Sequence, residues 1–436
     1  MEEFCWWLLF VSFWFGILGD SQRFARMHSF NTLHHSSVHI DLGAIEHNCT
    51  VICKHIGNQC GLCAVVKADG YGLGAVRVAP RLGRFAQMLS VYSPDEAGEL
   101  LAAGVTTPIL ILAPVYSIDR FHPVYRGLSS GLIHLVVHGE EHLRALQSLA
   151  GRYGARLNVQ VKIDTGLHRG GCEMGDAKSL IEQILLPTRK AGLRLTGVMT
   201  HFVSAVDDEA LTRLQHDRLD GILRSLSTPI RPTCLVHEAN TAAMVQWDWS
   251  HRNMVRVGLA WTGTVPSGVK PLRGFQPVVS WRSRLAHVRH VEIGERVGYS
   301  GKWTATRPSM IGIVPVGYAA GYPMGVGAGD GKGCAFVRVL DSQFNQVIGD
   351  APVVGSVCMD QIAVDLTDVP STVVGCGVEL ISADPSSRAT LGQIAVAAGV
   401  VPHAIISKIS SRVHRTYRSP VTQITTQSAT QLRQCQ

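Results

Sequence analysis

Charged side chains are scarce in this sequence, and basic residues are nowhere concentrated. Asp, Glu, Lys and Arg make up 17% of the 436 residues, and no run of four or more basic residues occurs. The 40 Lys and Arg residues exceed the 33 Asp and Glu residues, which gives a formal net charge of +7. Because nucleic-acid-binding surfaces need clustered basic residues, we expect no nucleic-acid partner and at most a modest preference for anionic small molecules.

Long hydrophobic runs are also lacking. The main candidate, residues 4–18, is almost continuously apolar, but a helix of this length spans only about 22 Å and falls short of a bilayer core. Glu2 and Glu3 precede the run, where a secretory signal is normally positive, and no Ala-x-Ala site follows it. We therefore expect a cytoplasmic protein with an unusual leader. The alternative is export or membrane anchoring, with residues 4–18 as the only possible membrane contact.

Cysteine, by contrast, is frequent, with 11 residues. The number is odd and most of these cysteines lie inside apolar runs, so we interpret them as buried thiols in a reducing compartment. Cys49, Cys53, Cys60 and Cys63 follow a C-x3-C-x6-C-x2-C spacing, for which a zinc site is the alternative. The spacing is shorter than that of paired zinc knuckles, so neighbouring core cysteines are favoured and no metal is expected.

The segment VVKADGYGLG, residues 65–74, carries the most chemistry in the chain. Its Lys67 follows an apolar run that predicts a buried strand, and desolvation there would lower the lysine pKa and free the amine to react with an aldehyde. Tyr71 and the nearby glycines offer a hydroxyl and backbone N–H groups suited to a phosphate. The combination suggests pyridoxal phosphate. An ordinary surface lysine at a strand end remains open from this segment alone.

A repeated pattern of short apolar runs and helical stretches extends over most of the chain. It predicts an α/β fold, an N-terminal (β/α)8 TIM-type barrel over residues 37–275, followed by a C-terminal β-rich domain over 276–420. We expect residues 1–36 to form a leader and linker, and residues 421–436 to form a flexible tail. The predicted barrel strands are 62–68, 88–93, 108–113, 132–138, 157–164, 195–202, 233–240 and 254–260.

Polar residues collect at the ends of these predicted strands, where barrel enzymes place catalysis. Several cations at one rim imply an anionic ligand or mutual neutralisation, because unpaired buried charges are costly. These residues are Lys67, Lys162, Asp164, Arg169, Thr200, His201, His237, Asn240, Thr241, Arg256 and Gly258.

At this point the chain resembles the alanine racemase family of pyridoxal-phosphate barrel enzymes, from about residue 38 to 417. The family's motifs occur in its order and with closely similar spacing. They are VVKADGYGLG, KIDTGLHRGG, MTHF, HEANTAAM, VRVGLA, VGYSGKWTA, VPVGYAAGYP, GSVCMDQIAVDL and SSRVHRTY.

The resemblance implies two catalytic bases and a homodimer with shared active sites. Lys67 would hold the cofactor covalently and act on one face of the substrate, and Tyr299 of the partner subunit would act on the other face. Racemisation needs both, because the proton must return from the side opposite the one it left. Arg256 would face the pyridine nitrogen and weaken the electron sink, which limits side reactions.

The remaining site residues are likewise assigned by resemblance. The phosphate would be bound by Tyr71, Thr241, Gly258 and Leu259. His201 would lie against the cofactor near Arg256. Arg169 would bind the substrate carboxylate, held by Lys162, which family members often carry as a carbamate. Tyr318 and Met359, from the second subunit, would close the substrate pocket.

The implied activity is interconversion of L- and D-alanine, supplying D-alanine for peptidoglycan. Four departures from the family pattern, Leu73, Thr262, Ala320 and Ser411, bear on substrate range and cofactor affinity. A serine or broad-specificity racemase is therefore the alternative. More remote are a barrel-type amino-acid decarboxylase, which would place an acid at the pyridine nitrogen, and a non-catalytic pyridoxal-phosphate carrier, which would need only the barrel.

Overall fold

The computed structural model describes residues 35–186, 192–329 and 333–419. Strand β1 (Ser37–Asp41) opens the described chain, and the strands that follow it form a parallel sheet of eight. They are β2 (Gly61–Val65), β3 (Met88–Val91), β4 (Ile109–Ile111), β5 (Ile133–Val137), β6 (Leu157–Lys162), β7 (Leu193–Met199), β8 (Leu235–His237) and β9 (Met254–Val257).

These eight strands form the predicted barrel. Their order is β8-β7-β6-β5-β4-β3-β2-β9, with every neighbouring pair parallel. The ends of this order meet where the Arg256 N–H donates to the Ala239 carbonyl at 2.9 Å. Most strand residues are buried, as expected for a parallel sheet covered by helices. Each of the eight predicted strands is confirmed, although all eight are shorter than predicted.

Helices follow the barrel strands and cover them. Polar caps start several: Asp41 accepts the Ala44 N–H, and Ser93 with Glu96 forms a capping box. The helices of the described chain are α1 (Leu42–Ile56), α2 (Ala75–Leu82), α3 (Pro94–Ala102), α4 (Val124–Ser130), α5 (Glu140–Tyr153), α6 (Met174–Leu185), α7 (Glu209–Ser225), α8 (Thr241–Gln246), α9 (Leu391–Ala398) and α10 (Pro402–Ile406).

A second sheet of nine strands confirms the predicted β-rich domain. The strands of this domain are β10 (Val279–Arg284), β11 (His287–Val291), β12 (Arg296–Val297), β13 (Trp303–Thr304), β14 (Ser309–Val314), β15 (Phe336–Leu340), β16 (Val347–Val354), β17 (Ile362–Asp365), β18 (Gly377–Ile381) and β19 (His414–Arg418). The order in the nine-stranded sheet is β11-β14-β17-β16-β15-β18-β10-β1-β19, and a separate hairpin pairs β12 with β13.

Strand β1 belongs to this second sheet, although residue 37 was the predicted start of the barrel. It pairs antiparallel with β10 and parallel with β19. Val38 and Ile40 are fully buried, whereas Ser37 and His39 are half-buried. This two-faced pattern is typical of a strand that joins a mixed sheet, not of a barrel strand buried on both faces. The pairing of β1 with β19 joins the two ends of the described chain. The other predicted domain boundaries stay predictions.

The buried cysteines of the described chain have free thiols. Cys49, Cys63, Cys172, Cys234 and Cys376 are buried. Burial raises the pKa of the Cys63 thiol to about 12 and shifts the pKa of Cys49 in the same direction. Across residues 35–186, 192–329 and 333–419, no helix is long and apolar enough to cross a membrane. The apolar segment 4–18 and the predicted tail lie outside the described residues.

Candidate active site

Lys67 begins an unusual turn at the carboxyl end of β2. Residues Lys67–Gly72 form one helical turn in which Ala68, Asp69 and Tyr71 have φ between 53° and 58°, a left-handed backbone that side chains disfavour. The carboxylate of Glu96 holds this turn, because it accepts the Ala68 N–H at 2.6 Å. The same carboxylate accepts two backbone N–H groups just before helix α3. Glu96 thus joins the Lys67 turn to the next strand end.

The surroundings of Lys67 favour its neutral amine. The residue is half-buried. Burial is the main cause that lowers the pKa of Lys67, and the positive charge of Arg169 lowers it further. The negative charge of Glu96 acts in the opposite direction. Desolvation thus shifts the pKa of Lys67 in the direction that the sequence analysis expected.

Arg256 lies on β9, which is hydrogen-bonded to β2. In the register of these two strands, Arg256 lies opposite Cys63. Only 5% of the residue is exposed. Its Nη1 donates to His237 Nδ1 at 2.8 Å, and its Nη2 donates to His201 Nδ1 at 2.9 Å and to the Thr200 carbonyl at 2.8 Å. Within the described ranges, no protein acceptor bonds the Nε–H. The guanidinium is therefore fixed by two of its nitrogens and retains a donor.

The groups that accept hydrogen bonds from Arg256 are neutral. Burial, followed by the charge of Arg256, lowers the pKa of both His201 and His237 well below the usual value. Burial also lowers the pKa of Arg256 to about 10. The nearby Glu238 carboxylate is bonded elsewhere, to Arg252 Nε at 2.9 Å and His216 Nδ1 at 2.5 Å. The Arg256 guanidinium thus lacks a direct carboxylate partner among the described residues.

Lys162 and Arg169 add further positive charge at the end of β6. Burial lowers the pKa of Lys162 to about 8, and the charges of Arg169 and Arg256 contribute. The Asp164 carboxylate accepts the backbone N–H groups of residues 166–169 at 2.9–3.2 Å and so shapes the loop that carries Arg169. Mutual repulsion among these cations would be relieved by an anionic ligand.

Tyr71 and Gly258 make a close contact across the two adjacent strand ends. A Cβ atom built on Gly258 would lie 2.0 Å from Tyr71 Oη, so only glycine fits beneath this hydroxyl. The Tyr71 ring packs edge-on against Trp261 and His403. Thr241, at the start of α8, accepts the Ala260 N–H through its hydroxyl at 3.4 Å. This contact lies just beyond Gly258 and Leu259, the other predicted phosphate ligands.

Sequence reasoning missed two residues of this site. Glu96 had a readable local signal, the Ser-x-x-Glu capping box, but nothing in the sequence indicated its bond to the Lys67 turn. His403 comes from α10 in the second domain. Burial and the charge of Lys67 lower the pKa of His403, and its buried Nδ1 has no hydrogen-bond partner among the described residues.

Tyr299, Tyr318 and Met359 lie on connected loops of the β domain. Ser356 donates to the Tyr299 carbonyl at 3.3 Å, and residues 318 and 319 bond the carbonyls of 358 and 359 at 3.0 Å. The three side chains are 72%, 40% and 54% exposed, respectively. Within the described part of the chain, no hydrogen bond or ion pair joins any of the three to Lys67. The structure therefore groups these residues on one exposed surface of the β domain.

The site fits pyridoxal phosphate on the observations of this chain alone. The absence of a side chain at Gly258 lets the Tyr71 hydroxyl lie close to the backbone at this strand end, and among the described residues the buried His403 Nδ1 has no hydrogen-bond partner. The half-buried amine of Lys67 suits the aldehyde, and the surrounding cations suit the phosphate and the phenolic oxygen.

Known sequence families match both domains. The model described as alanine racemase, N-terminal domain, matches residues 40–266, and that of the alanine racemase C-terminal domain matches residues 278–417. With the barrel and its strand-end cations, these matches define an isomerase, an amino-acid racemase. More narrowly, the chain belongs to the alanine racemase family.

Individual relatives agree with this assignment. The chain is 34% identical over 381 residues to alanine racemase from Cutibacterium acnes, covering 86% of this chain and 96% of that protein. The crystal structure of alanine racemase from E. faecalis matches with a TM-score of 0.75 and 29% identity, covering 89% of this chain and 99% of that chain. Alanine racemase from Bartonella henselae, solved with covalently bound pyridoxal phosphate, matches with a TM-score of 0.72 and 25% identity over 88% of this chain and 99% of that chain.

Proposed function

We propose that this protein interconverts L- and D-alanine, with pyridoxal phosphate held by Lys67 and with active sites shared in a homodimer. The observation that carries the proposal is the placement of Lys67 and Arg256 by two adjacent parallel strands, with Lys67 just beyond the end of β2 and Arg256 on β9. One is a lysine whose pKa is lowered, and the other is a buried cation whose partners are neutral. The D-alanine would serve peptidoglycan synthesis.

The barrel residues would hold the cofactor. Lys67 provides the covalent attachment, Tyr71 and Thr241 with the backbone at Gly258 and Leu259 hold the phosphate, and His201 supports the ring beside Arg256. When bound, pyridoxal phosphate withdraws electrons from the substrate α-carbon and makes its α-hydrogen acidic. Arg256 keeps the pyridine nitrogen unprotonated, since a cation there opposes a second positive charge.

Proton transfer requires one group on each face of the substrate. The Lys67 Nζ, with its lowered pKa, takes or returns the α-proton on one face. The phenolic oxygen of Tyr299 of the partner subunit takes or returns it on the other face. Inversion results because the proton that leaves from one side is replaced from the opposite side.

Arg169 would bind the substrate carboxylate, because its loop is ordered by Asp164 and its side chain is exposed beside the Lys67 amine. Lys162 would position Arg169. The lowered pKa of Lys162 leaves part of its amine unprotonated, the form that reacts with carbon dioxide to give a carbamate. The resulting anion would be stabilised by Arg169 and Arg256.

A homodimer is supported by the exposure of the second set of residues. Tyr299, Tyr318 and Met359 lie together on the surface of the β domain, and their described contacts do not reach Lys67 of the same chain. The partner subunit's Tyr318 and the partner's Met359 would narrow the pocket to a small side chain, which favours alanine over larger substrates.

The structure gives little support to a decarboxylase. That chemistry strengthens the electron sink with an acid at the pyridine nitrogen, and the nearest candidate in the sequence is Glu238. Its side chain is fully buried and bonded to Arg252 and His216. We assign the position facing the pyridine nitrogen to the cation Arg256 instead.

The proposal is tested by incubating the enzyme with L-alanine in deuterium oxide. We expect deuterium at the α-carbon together with loss of optical rotation, while release of carbon dioxide would support the decarboxylase. Borohydride reduction followed by mass spectrometry should find the pyridoxyl group on the peptide containing Lys67. An adduct on another lysine would overturn the assignment of the cofactor site.

The shared site is tested by mixing two inactive variants, Lys67→Ala and Tyr299→Ala. If subunits exchange randomly at equal proportions, about a quarter of the sites should carry both native residues and regain activity. No recovery, despite exchange shown by mass tags, would contradict a site made from two subunits.

A further inference from the structure

We propose that His55, His251 and Asp248 form a binding site for a divalent transition-metal ion, with Zn²⁺ as the expected ion. Their three ligand atoms lie within 4.8 Å of one another, and the structure describes no other convergent group of three or more His, Cys, Asp or Glu residues in the ranges that it covers. The inference is independent of the proposed racemase chemistry.

The fold brings these residues together through neighbouring strands. His55 lies in the last turn of α1, shortly before β2, and His251 lies shortly before β9. Because β2 and β9 are parallel neighbours, the segments that enter them meet at the same end of the barrel. This is the amino-terminal end of the strands, opposite the end that carries Lys67.

The imidazoles converge on one point. Nε2 of His55 lies 2.9 Å from the Met244 carbonyl oxygen, and Nε2 of His251 lies 2.8 Å from the same oxygen. Asp248 Oδ1 is 3.7 Å and 4.0 Å from these two nitrogens. In a tetrahedral zinc site with bonds of about 2.1 Å, ligand atoms lie roughly 3.4 Å apart. Binding one ion requires both Nε2 atoms to turn from the Met244 carbonyl oxygen and to approach Asp248 Oδ1 more closely.

The site combines fixed and accessible ligands. His251 is only 7% exposed, and its ring packs edge-on to that of His55 at 5.4 Å. The Asp248 side chain is 84% exposed and leaves an entry for the ion and for water. Two imidazoles and one carboxylate suit Zn²⁺ and related ions more than Mg²⁺ or Ca²⁺, which prefer oxygen ligands.

Without a metal, the two rings can serve as a cap on the carboxyl end of α8, because each Nε2–H can donate to the Met244 carbonyl. In the bound form the nitrogen lone pairs face the ion and the ring protons stay on Nδ1. The bound ion would tie the end of α1 to the segment before β9. Its expected effect is a higher melting temperature with unchanged racemase activity.

Equilibrium dialysis of the untagged, chelator-treated holoenzyme against ZnCl2 tests the site. We expect the native protein to bind about one Zn²⁺ per chain more than His55→Gln or His251→Gln. His47→Gln is the matched control, because His47 lies on the same helix and its Nε2 also contacts a carbonyl, that of Gly274, at 2.9 Å. This variant should keep the full amount of bound zinc.

Two further measurements keep the result interpretable. Asp248→Asn changes an exposed side chain, so it reports on the site even if a histidine variant fails to fold. Co²⁺ should give a visible spectrum without thiolate charge transfer, since all three ligands are nitrogen or oxygen. Equal zinc binding by the native protein and the site variants, or a thiolate band that assigns the ion to cysteines, would overturn the proposal.

Discussion

Replacement of Gly258 by alanine tests the cofactor cradle most directly. The added Cβ would lie 2.0 Å from Tyr71 Oη and 2.7 Å from Cζ. The tyrosine must therefore move by more than about 1 Å to reach an ordinary contact distance. It cannot swing away freely, because its ring is packed against Trp261 and His403, with centroids 6.1 Å and 5.9 Å away.

We expect two measurable effects of Gly258→Ala. Overpacking should lower the free energy of unfolding by about 1–3 kcal/mol, measured by urea denaturation of the apoprotein. Displacement of the Tyr71 hydroxyl should weaken its proposed hydrogen bond to the cofactor phosphate, and a hydrogen bond to a charged group is worth about 1.5–3 kcal/mol. The dissociation constant of pyridoxal phosphate, measured by fluorescence titration, should then rise roughly 10- to 150-fold.

The matched control is Gly221→Ala, at a helical position of α7 where the added Cβ meets nothing within 4 Å. This change should stabilise the protein by about 0.5–1 kcal/mol and leave cofactor affinity unchanged. The double variant Gly258→Ala/Tyr71→Phe should lose less stability than the sum of its single changes, because the closest atom has been removed. Native cofactor affinity and stability in Gly258→Ala would refute the reasoning.

Three further predictions concern single side chains. Glu96→Gln should shift the acidic limb of the pH–activity profile to lower pH, because the negative charge of Glu96 raises the pKa of Lys67. Glu99→Gln, which changes an exposed residue, should leave the profile in place. An unmoved profile in Glu96→Gln would contradict the coupling between Glu96 and Lys67. Asn48→Ala should lower the free energy of unfolding, measured in urea, by roughly 1–3 kcal/mol, because this buried carboxamide makes hydrogen bonds to the backbone of Trp261 and Gln276. Native stability of this variant would show that these hydrogen bonds make no net contribution. Tyr299→Phe should abolish racemisation yet leave exchange of the α-hydrogen in one enantiomer, followed by mass spectrometry in deuterium oxide, whereas equal exchange of both would mean that Lys67 serves both faces.

The barrel could be predicted because its strands are buried on both faces and therefore appear as continuous apolar runs. No strand was predicted at residues 37–41, because the partner β19 lies at the other end of the described chain and no local pattern reports so distant a pairing. The alternation of polar and apolar residues within Ser37–Asp41 was the available signal for a strand with one buried face. A run of only five residues directly before a helix is too short to make that signal strong.

The sequence could predict the candidate site residues that lie at the ends of barrel strands. It could not predict contacts between side chains and backbone groups of different secondary-structure elements. Lys67, Lys162 and Arg256 follow from the rule that barrel enzymes carry their chemistry at the carboxyl ends of strands. The left-handed turn after Lys67 was not predictable, because alanine, aspartate and tyrosine rarely adopt positive φ. The turn depends on a carboxylate from Glu96, and the Tyr71 ring within the turn packs against His403 from another domain.

The separation of the two proposed bases has a consequence for catalysis. Lys67 is half-buried at the end of a barrel strand, whereas Tyr299 is 72% exposed on a loop of the β domain. In a shared site, the distance between them is set by how two chains associate, not by the folding of either chain. Substitutions at the contact between subunits should therefore reduce the rate of inversion more than the rate of one-sided α-hydrogen exchange, because exchange needs only Lys67. A contact variant that lost both rates equally, with its cofactor still bound, would show that association also shapes the Lys67 half of the site.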